Sequence, residues 1–221
     1  MFRKEEVEKI LAQARRMDSH FDIHGASKHQ YKLNSPVDLA FVRAVEKQYH
    51  FRLPEDYVQF ITEVGDGGAG PSYGMYQFGN IMRKGETPRT QKNYEIYRHS
   101  LAKELFLLPL EREDLEDFCC AMEEEFEQHP EKYFAAASEC YNNNTDTANG
   151  FLVLGTYGCG KDFGLVVTGE RRGQVFSVTV EGGYELEADS FQTFYQDWLD
   201  FLSDTEQFQK EIDIWRRINN R

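Results

Sequence analysis

Cysteine is scarce in this sequence: four occur among 221 residues, and no two stand at the Cys-x-x-Cys spacing. The adjacent Cys119 and Cys120 cannot easily bridge each other within a helix. No histidine stands at a metal-ligand spacing from any of the four. These absences argue against a disulfide framework and against a zinc site, and we expect reduced, mostly packed thiols.

Long apolar runs are also missing. No stretch approaches the ~20 residues that a helix needs to cross a bilayer. No apolar segment follows the basic residues Arg3 and Lys4, as it would in a signal peptide. The hydrophobic share of 40% and the aromatic share of 14% are nevertheless sufficient for a sizeable core. We therefore expect a folded, cytoplasmic protein that does not enter membranes.

Signatures of catalysis are absent as well, since neither a Ser-His-Asp pattern nor a dinucleotide fingerprint is present. The Gly-rich segment 66–71 lacks the Lys-Ser/Thr ending of a phosphate-binding loop and follows a helix. A turn that needs positive φ is the better interpretation. Cys159 lies between Gly158 and Gly160, but no base is evident to form its thiolate, so we favour a small residue in a tight hairpin. We predict no catalytic residue and no cofactor.

The connector 20–34 contains three histidines, His20, His24 and His29. They lack a regular spacing, which favours exposed loop histidines over a metal cluster. We therefore predict no metal site.

Negative charge is what the chain has in excess, with a formal net charge of −13. An acidic surface repels phosphate backbones, which disfavours direct nucleic-acid binding, and it attracts basic partners. Much of this charge lies in residues 111–131, on the outward face of a strongly predicted helix over 113–129. A merely solvated face and a contact surface for a basic protein both remain open.

Hydrophobic periodicity divides the chain into helices followed by strands and then helices again. We predict that Ser35 caps a helix with Pro36 at its first position, and that another helix runs from near Pro54 to Gly65. The third predicted strand alternates, which suits a sheet with one face on the core and one nearer water. Predicted helices and strands are, in order, 5–17, the helix after Ser35, 54–65, 113–129, strands 151–154, 163–167 and 174–180, a helix capped by Ser190 with a broad aromatic face, and 206–218.

Three groups of segments, taken together in their order and spacing, carry a family resemblance. They are 53–60 with 64–71 and 73–74, then 158–160 with 165–169 and 173–176, and finally 191–199. In these segments the chain resembles the SUKH superfamily, the SMI/KNR-like group that contains the yeast cell-wall-assembly regulator domain and many bacterial immunity proteins. The resemblance covers roughly residues 35–202 and is thinnest between 81 and 149.

The resemblance implies an α+β fold in which a mostly antiparallel sheet is packed by helices on one side. This agrees with the element order read from periodicity. We expect an N-terminal helix and connector over 1–34, the SUKH domain over 35–202 with an extra acidic helical insertion at about 81–149, and a C-terminal helical extension over 203–221.

The resemblance also implies a non-enzymatic, protein-binding role. Many bacterial members are immunity proteins that bind and neutralise a toxin, often a nuclease, and a basic toxin domain would suit the negative charge of this chain. The alternative is a cytoplasmic regulator or scaffold without a toxin partner. The toxin and the oligomeric state stay open.

Partner-contact residues are predicted in two regions. Function tends to lie in loops held by a rigid scaffold, which favours two Gly-rich loops, one beginning at Asp66 and one around Gly155 to Lys161. The acidic helix is the second region. The candidates in the loops are Asp66, Tyr73, Tyr157, Lys161 and Asp162, and those on the helix are Glu123, Glu124 and Glu127.

Overall fold

The computed structural model describes residues 2–78, 150–178 and 184–219. Within these ranges the chain forms six α-helices and one four-stranded sheet, which confirms the α+β class. The helix predicted over 113–129 and the insertion at about 81–149 lie outside the described residues. The helices are α1 (Lys4–Met17), α2 (Ala26–His29), α3 (Leu39–Tyr49), α4 (Glu55–Gln59, continued by a π-helical turn, Phe60–Val64), α5 (Phe191–Ser203) and α6 (Thr205–Asn219).

The sheet is antiparallel throughout, in the order β1-β2-β3-β4. β1 is longer than predicted, because the turn between β1 and β2 needs only Cys159 and Gly160, both with positive φ (50° and 81°). Sequence reasoning missed β4, whose alternation of Glu185 and Glu187 with apolar residues is short and directly follows Gly183. The strands are β1 (Phe151–Gly158), β2 (Lys161–Val166), β3 (Val175–Val178) and β4 (Tyr184–Ala188).

One face of the sheet carries the main core. The aromatic face predicted for α5 is confirmed: Phe191 and Tyr195 are fully buried, and the ring of Phe194 lies 5.3 Å from that of Phe163 on β2. Each such side chain stabilises the fold by about 1.5–3 kcal/mol through burial. Phe2, just before α1, reaches the same cluster, with its ring 5.5 Å from Tyr195. The described helices therefore pack on one side of the sheet.

The opposite face of the sheet is buried in β1 to β3, so our prediction that it lies nearer water was wrong. Phe151, Val153, Val166 and Phe176 form a second buried cluster there. The reason is that β1 to β3 carry apolar side chains at both parities, so both faces of these strands are apolar. The predicted residues Thr179 and Val180 lie outside the described ranges.

The start of α3 also differs from the prediction. Asp38, rather than Ser35, is the N-cap: its Oδ1 accepts a hydrogen bond of 2.7 Å from the backbone N–H of Ala40. Before the cap, the Val37 N–H donates to the Ile61 carbonyl oxygen at 2.9 Å, so the helix does not begin there. The predicted Ser190 cap of α5 is confirmed, since its hydroxyl accepts from the Thr193 N–H at 3.0 Å.

Candidate functional site

The two Gly-rich loops meet at the outer edge of β1. Met75 forms isolated bridges with both Gly68 and Gly155, and the Tyr76 N–H donates to the Leu154 carbonyl oxygen at 2.7 Å. The approach is close because Gly155 has no side chain: a Cβ there would lie 2.5 Å from the Gly74 carbonyl oxygen. Residues far apart in sequence are thereby brought to one surface.

That surface is aromatic. Tyr73 packs beneath Gly158, where an added Cβ would lie 2.8 Å from its ring, and the Ser72 hydroxyl donates to the Tyr157 carbonyl oxygen at 3.4 Å. His24 meets the Tyr73 ring edge-on at 4.8 Å and stacks on Trp215 at 5.1 Å. We call the four half-buried side chains His24, Tyr73, Tyr157 and Trp215 the aromatic patch.

Helix α6 supplies Trp215 to the patch because its last turns are tied to the connector after α1. The Arg216 Nε lies 3.1 Å from Asp22 Oδ2, and the Asn219 side-chain amide donates to the Asp22 carbonyl oxygen at 2.9 Å. The indole N–H of Trp215 donates to Glu211 Oε1 at 2.9 Å, which limits rotation of the ring. The indole is therefore held in place before any partner arrives.

Charged groups border the patch on the sheet side. The Lys161 ammonium lies 2.8 Å from Glu185, 3.8 Å from Glu187 and 5.5 Å from the centre of the Tyr157 ring. The hydrogen bond with Glu185 raises the pKa of Lys161 and lowers that of Glu185. Burial, with the nearby Glu187 carboxylate, raises the pKa of Tyr157, so its phenol stays protonated.

A buried polar cluster lies below the patch. The Asp18 carboxylate is fully buried and accepts from the Tyr31 hydroxyl at 2.8 Å and from the Asp22 N–H at 2.7 Å. His29 Nδ1 accepts from the Tyr31 N–H at 3.0 Å. Burial lowers the pKa of His29 to about 4, outweighing a hydrogen bond with the Ser72 backbone and the charge of Asp18. The cluster fixes the base of the Ser72–Tyr73 turn with a neutral imidazole.

A comparison with models of protein families matches residues 36–197 to the SMI1 / KNR4 family (SUKH-1). The chain belongs to this family. No curated protein and no solved structure matches it. The matched residues include Tyr73 and Tyr157, whereas His24 and Trp215 lie outside them. The aromatic patch thus combines SUKH-1 residues with residues from outside the match.

The predicted contact residues have different positions in this SUKH-1 structure. Tyr73, Tyr157 and Lys161 are brought together, and the half-buried Asp162 follows Lys161 on β2. Asp66 is 4% exposed and its Oδ1 accepts from the Phe78 N–H at 2.7 Å, so its carboxylate supports its own loop. The candidates on the acidic helix, Glu123, Glu124 and Glu127, lie outside the described residues.

Sequence reasoning missed several members of the site. Nothing in the sequence links His24 to Trp215, which are almost two hundred positions apart, and Glu185 and Glu187 belong to the strand that was missed. Our interpretation of His29 as an exposed loop histidine was wrong, because tertiary packing buries it to 9% exposure. The single Trp on the predicted helix 206–218 was the signal that could have indicated a contribution of α6 to the site.

The remaining chemical predictions concern thiols, metals and membranes. Cys159 is free and exposed in its two-residue turn, so the tight hairpin is confirmed, whereas packing of this thiol is not. Among the residues that the structure describes, no group of three or more His, Cys, Asp or Glu could hold a metal ion. In the same ranges no helix is both long and apolar enough to span a bilayer. Members of the SUKH-1 family are generally non-catalytic.

Proposed function

We propose that this SUKH-1 protein is an immunity protein that neutralises a cognate bacterial toxin by binding it directly, without catalysis. Membership of the family, over residues 36–197, is the observation that carries this proposal. A protein that acts by sequestration needs one firm, complementary surface and no reacting groups.

The aromatic patch suits such a contact. Tyrosine and tryptophan are enriched among the residues that dominate binding energy, because they bury large rigid surfaces and keep a polar edge for hydrogen bonds. The turn that carries Tyr73 is supported by the hydrogen bond between His29 and the Ser72 backbone, and the Trp215 indole is held by Glu211. Little side-chain entropy would be lost on binding, which favours affinity.

The charge of the whole chain supports a basic partner. A net charge of −13 would steer a basic toxin domain, such as a nuclease, toward the protein and accelerate association at low salt. Near the patch, Glu185 is exposed and Glu187 half-buried, so carboxylates are available at its border.

Co-expression with a toxin encoded beside the gene tests the proposal. We expect growth to be rescued and a stable complex to be recovered. Absence of both rescue and complex would contradict the proposal for that pair. Recovery of housekeeping proteins instead of a toxin from native cells would favour the regulator or scaffold alternative.

The role of the patch is tested with Trp215→Ala in the same complex. We expect the dissociation constant to rise by a factor of about 30, since truncating a central anchor costs about 2 kcal/mol. Arg217→Ala is the matched control: it is exposed on the same helix, but two residues further on and thus about 200° around the axis. Equal weakening by both variants would exclude the patch as the contact.

A further inference from the structure

A cleft of about 790 Å³ lies between the end of α3 and the β2–β3 connection. Its apolar part is provided by the buried Phe51 and Val167, and Thr168 and Gly169 also line it. Four basic side chains surround it. We call this site the basic cleft and define it by Arg43, Lys47, Arg52 and Arg172.

A single buried carboxylate organises two of these cations. The Glu46 side chain is 1% exposed and accepts from Arg43 Nη1 at 2.8 Å and from Arg52 Nη1 at 3.1 Å. It also accepts from the Leu53 N–H at 2.8 Å. Because a buried carboxylate needs hydrogen-bond donors, Glu46 draws both guanidinium groups to the same side of the cleft.

The third guanidinium group belongs to Arg172, in the β2–β3 connection, and it contacts the segment that follows α3. Arg172 Nε donates to the Arg52 carbonyl oxygen at 3.0 Å and its Nη2 to the Leu53 carbonyl oxygen at 2.6 Å. These contacts use neutral acceptors, so the positive charge of Arg172 is not compensated by them.

The charge around the cleft is positive, opposite in sign to the net charge of the chain. Lys47 is exposed and forms no ion pair with any residue in the described ranges. Within the described residues, the carboxylates that pair with the four cations are Glu46 and the exposed Glu55, which lies 3.1 Å from Arg43 Nη2. Among these residues a positive excess remains at the cleft, in a protein whose net charge is −13.

The basic cleft is separate from the aromatic patch. Lys161 begins β2, and Val167 and Thr168 follow its last residue. Six residues of extended strand separate the two sites by about 20 Å.

We propose that the basic cleft binds an acidic peptide segment of a partner protein. Guanidinium groups match carboxylates in a bidentate geometry, and three are anchored around this cleft by hydrogen bonds. The volume suits several side chains rather than a single inorganic anion. A nucleic acid is disfavoured because its many phosphates would be repelled by the rest of the surface. This inference goes beyond the proposed function and holds whether or not the partner is a toxin.

Fluorescence anisotropy with the full chain in ~50 mM NaCl tests the inference, since low salt preserves contacts between charges. The probe is a fluorescein-labelled ten-residue peptide of Glu, Asp and Leu, and its comparator has Lys in place of the acidic residues. We expect the acidic probe to bind in preference to its comparator. Lys47→Glu and Arg52→Gln should each weaken its binding at least about tenfold.

Arg171→Gln is the matched control. It removes one exposed positive charge from the same turn as Arg172, but its guanidinium lies 5.8 Å from the centre of the Phe176 ring and does not line the cleft. We expect less than about a twofold change in its affinity for the probe. The Lys47 side chain makes no hydrogen bond or ion pair within the described residues, so Lys47→Glu decides the question even if Arg52→Gln unfolds.

Three outcomes would overturn the inference. The first is failure of the acidic probe to bind, and the second is an equal loss of affinity in Arg171→Gln. The third is displacement of the probe by inorganic phosphate, or by a short single-stranded DNA, as readily as by unlabelled peptide. That result would leave a small-anion or nucleic-acid site instead.

Discussion

The two ends of strand β2 arrange charge in opposite ways. At its start, the cation Lys161 lies between the carboxylates of Glu185 and Glu187 beside the aromatic patch. Beyond its end, the carboxylate of Glu46 lies among the arginines of the basic cleft. A net charge describes the long-range field of a protein, and this comparison shows that it does not give the sign of a particular site.

The central charges also differ in burial. The Lys161 side chain is 36% exposed, so water shares its stabilisation with the two carboxylates. The Glu46 side chain is 1% exposed, and protein donors have replaced its water almost entirely. We therefore expect substitution of Glu46 to affect folding, and substitution of the exposed charges around both sites to affect partner binding.

The largest expected effect is that of Glu46→Ala. It leaves the buried Leu53 N–H without an acceptor and the two arginines without their common partner, which should lower the free energy of unfolding by about 3 kcal/mol. Urea denaturation measures this change. Glu55→Ala removes an exposed carboxylate from the same Arg43 and should cost less than about 0.5 kcal/mol. Equal costs would show that burial does not distinguish the two.

Next in size is Gly155→Ala at the patch end. A Cβ there would meet the Gly74 carbonyl oxygen at 2.5 Å and the Phe163 ring at 2.4 Å, and overpacking of this kind costs about 2 kcal/mol. Gly173→Ala is its counterpart at the cleft end, where nothing lies within 4 Å and φ is +105°. Backbone strain alone should cost about 1 kcal/mol. Thermal unfolding of both variants compares them, and a reversed order would contradict close contact between the Gly-rich loops.

The third prediction is a pH dependence carried by His29. Its pKa is about 4 in the folded protein and 6.5 in the unfolded chain. Between these two values the unfolded chain is protonated at His29, whereas the folded protein is not. The contribution of the neutral His29 to the free energy of unfolding is fully present above pH 6.5 and is lost as the pH falls toward 4. The expected loss is about 2 kcal/mol between pH 7.5 and 5.

His29→Gln isolates this contribution because glutamine cannot take up the proton. Urea denaturation at each pH should give a shallower loss of stability for the variant, whatever its starting value. If stability depends on pH identically in the two proteins, folding does not lower the pKa of His29.

The smallest expected effect is that of Cys159→Asn in the β1–β2 turn. Cys159 has a φ of 50°, and asparagine followed by glycine is the favoured sequence for a turn with two positive φ angles. We expect a gain of about 0.5 kcal/mol in the free energy of unfolding. Cys159→Val should instead lose stability, because a β-branched residue adopts positive φ poorly. A gain in both variants would point to removal of the thiol rather than to the backbone.

Much of the fold could be predicted from the sequence alone. The aromatic face of α5, three strands joined by Gly-containing turns, the Ser190 cap and the family itself follow from residues close together along the chain. Their signals are local: side-chain spacing sets the period of a helix or strand, and the need for positive φ selects glycine at a turn. The N-cap of α3 was misplaced because a carbonyl distant in sequence, that of Ile61, accepts the hydrogen bond from the Val37 N–H.

Only the tertiary structure showed which residues of the two candidate sites lie together. His24, Tyr73, Tyr157 and Trp215 form one patch because the loops cross at Gly155 and because α6 is tied to Asp22. The scarcity of cysteine and the excess of negative charge were visible from the sequence, but the basic cleft was not. A composition counts charges without positions, whereas burial of Glu46 and convergence of Arg43, Arg52 and Arg172 depend on how distant segments pack together.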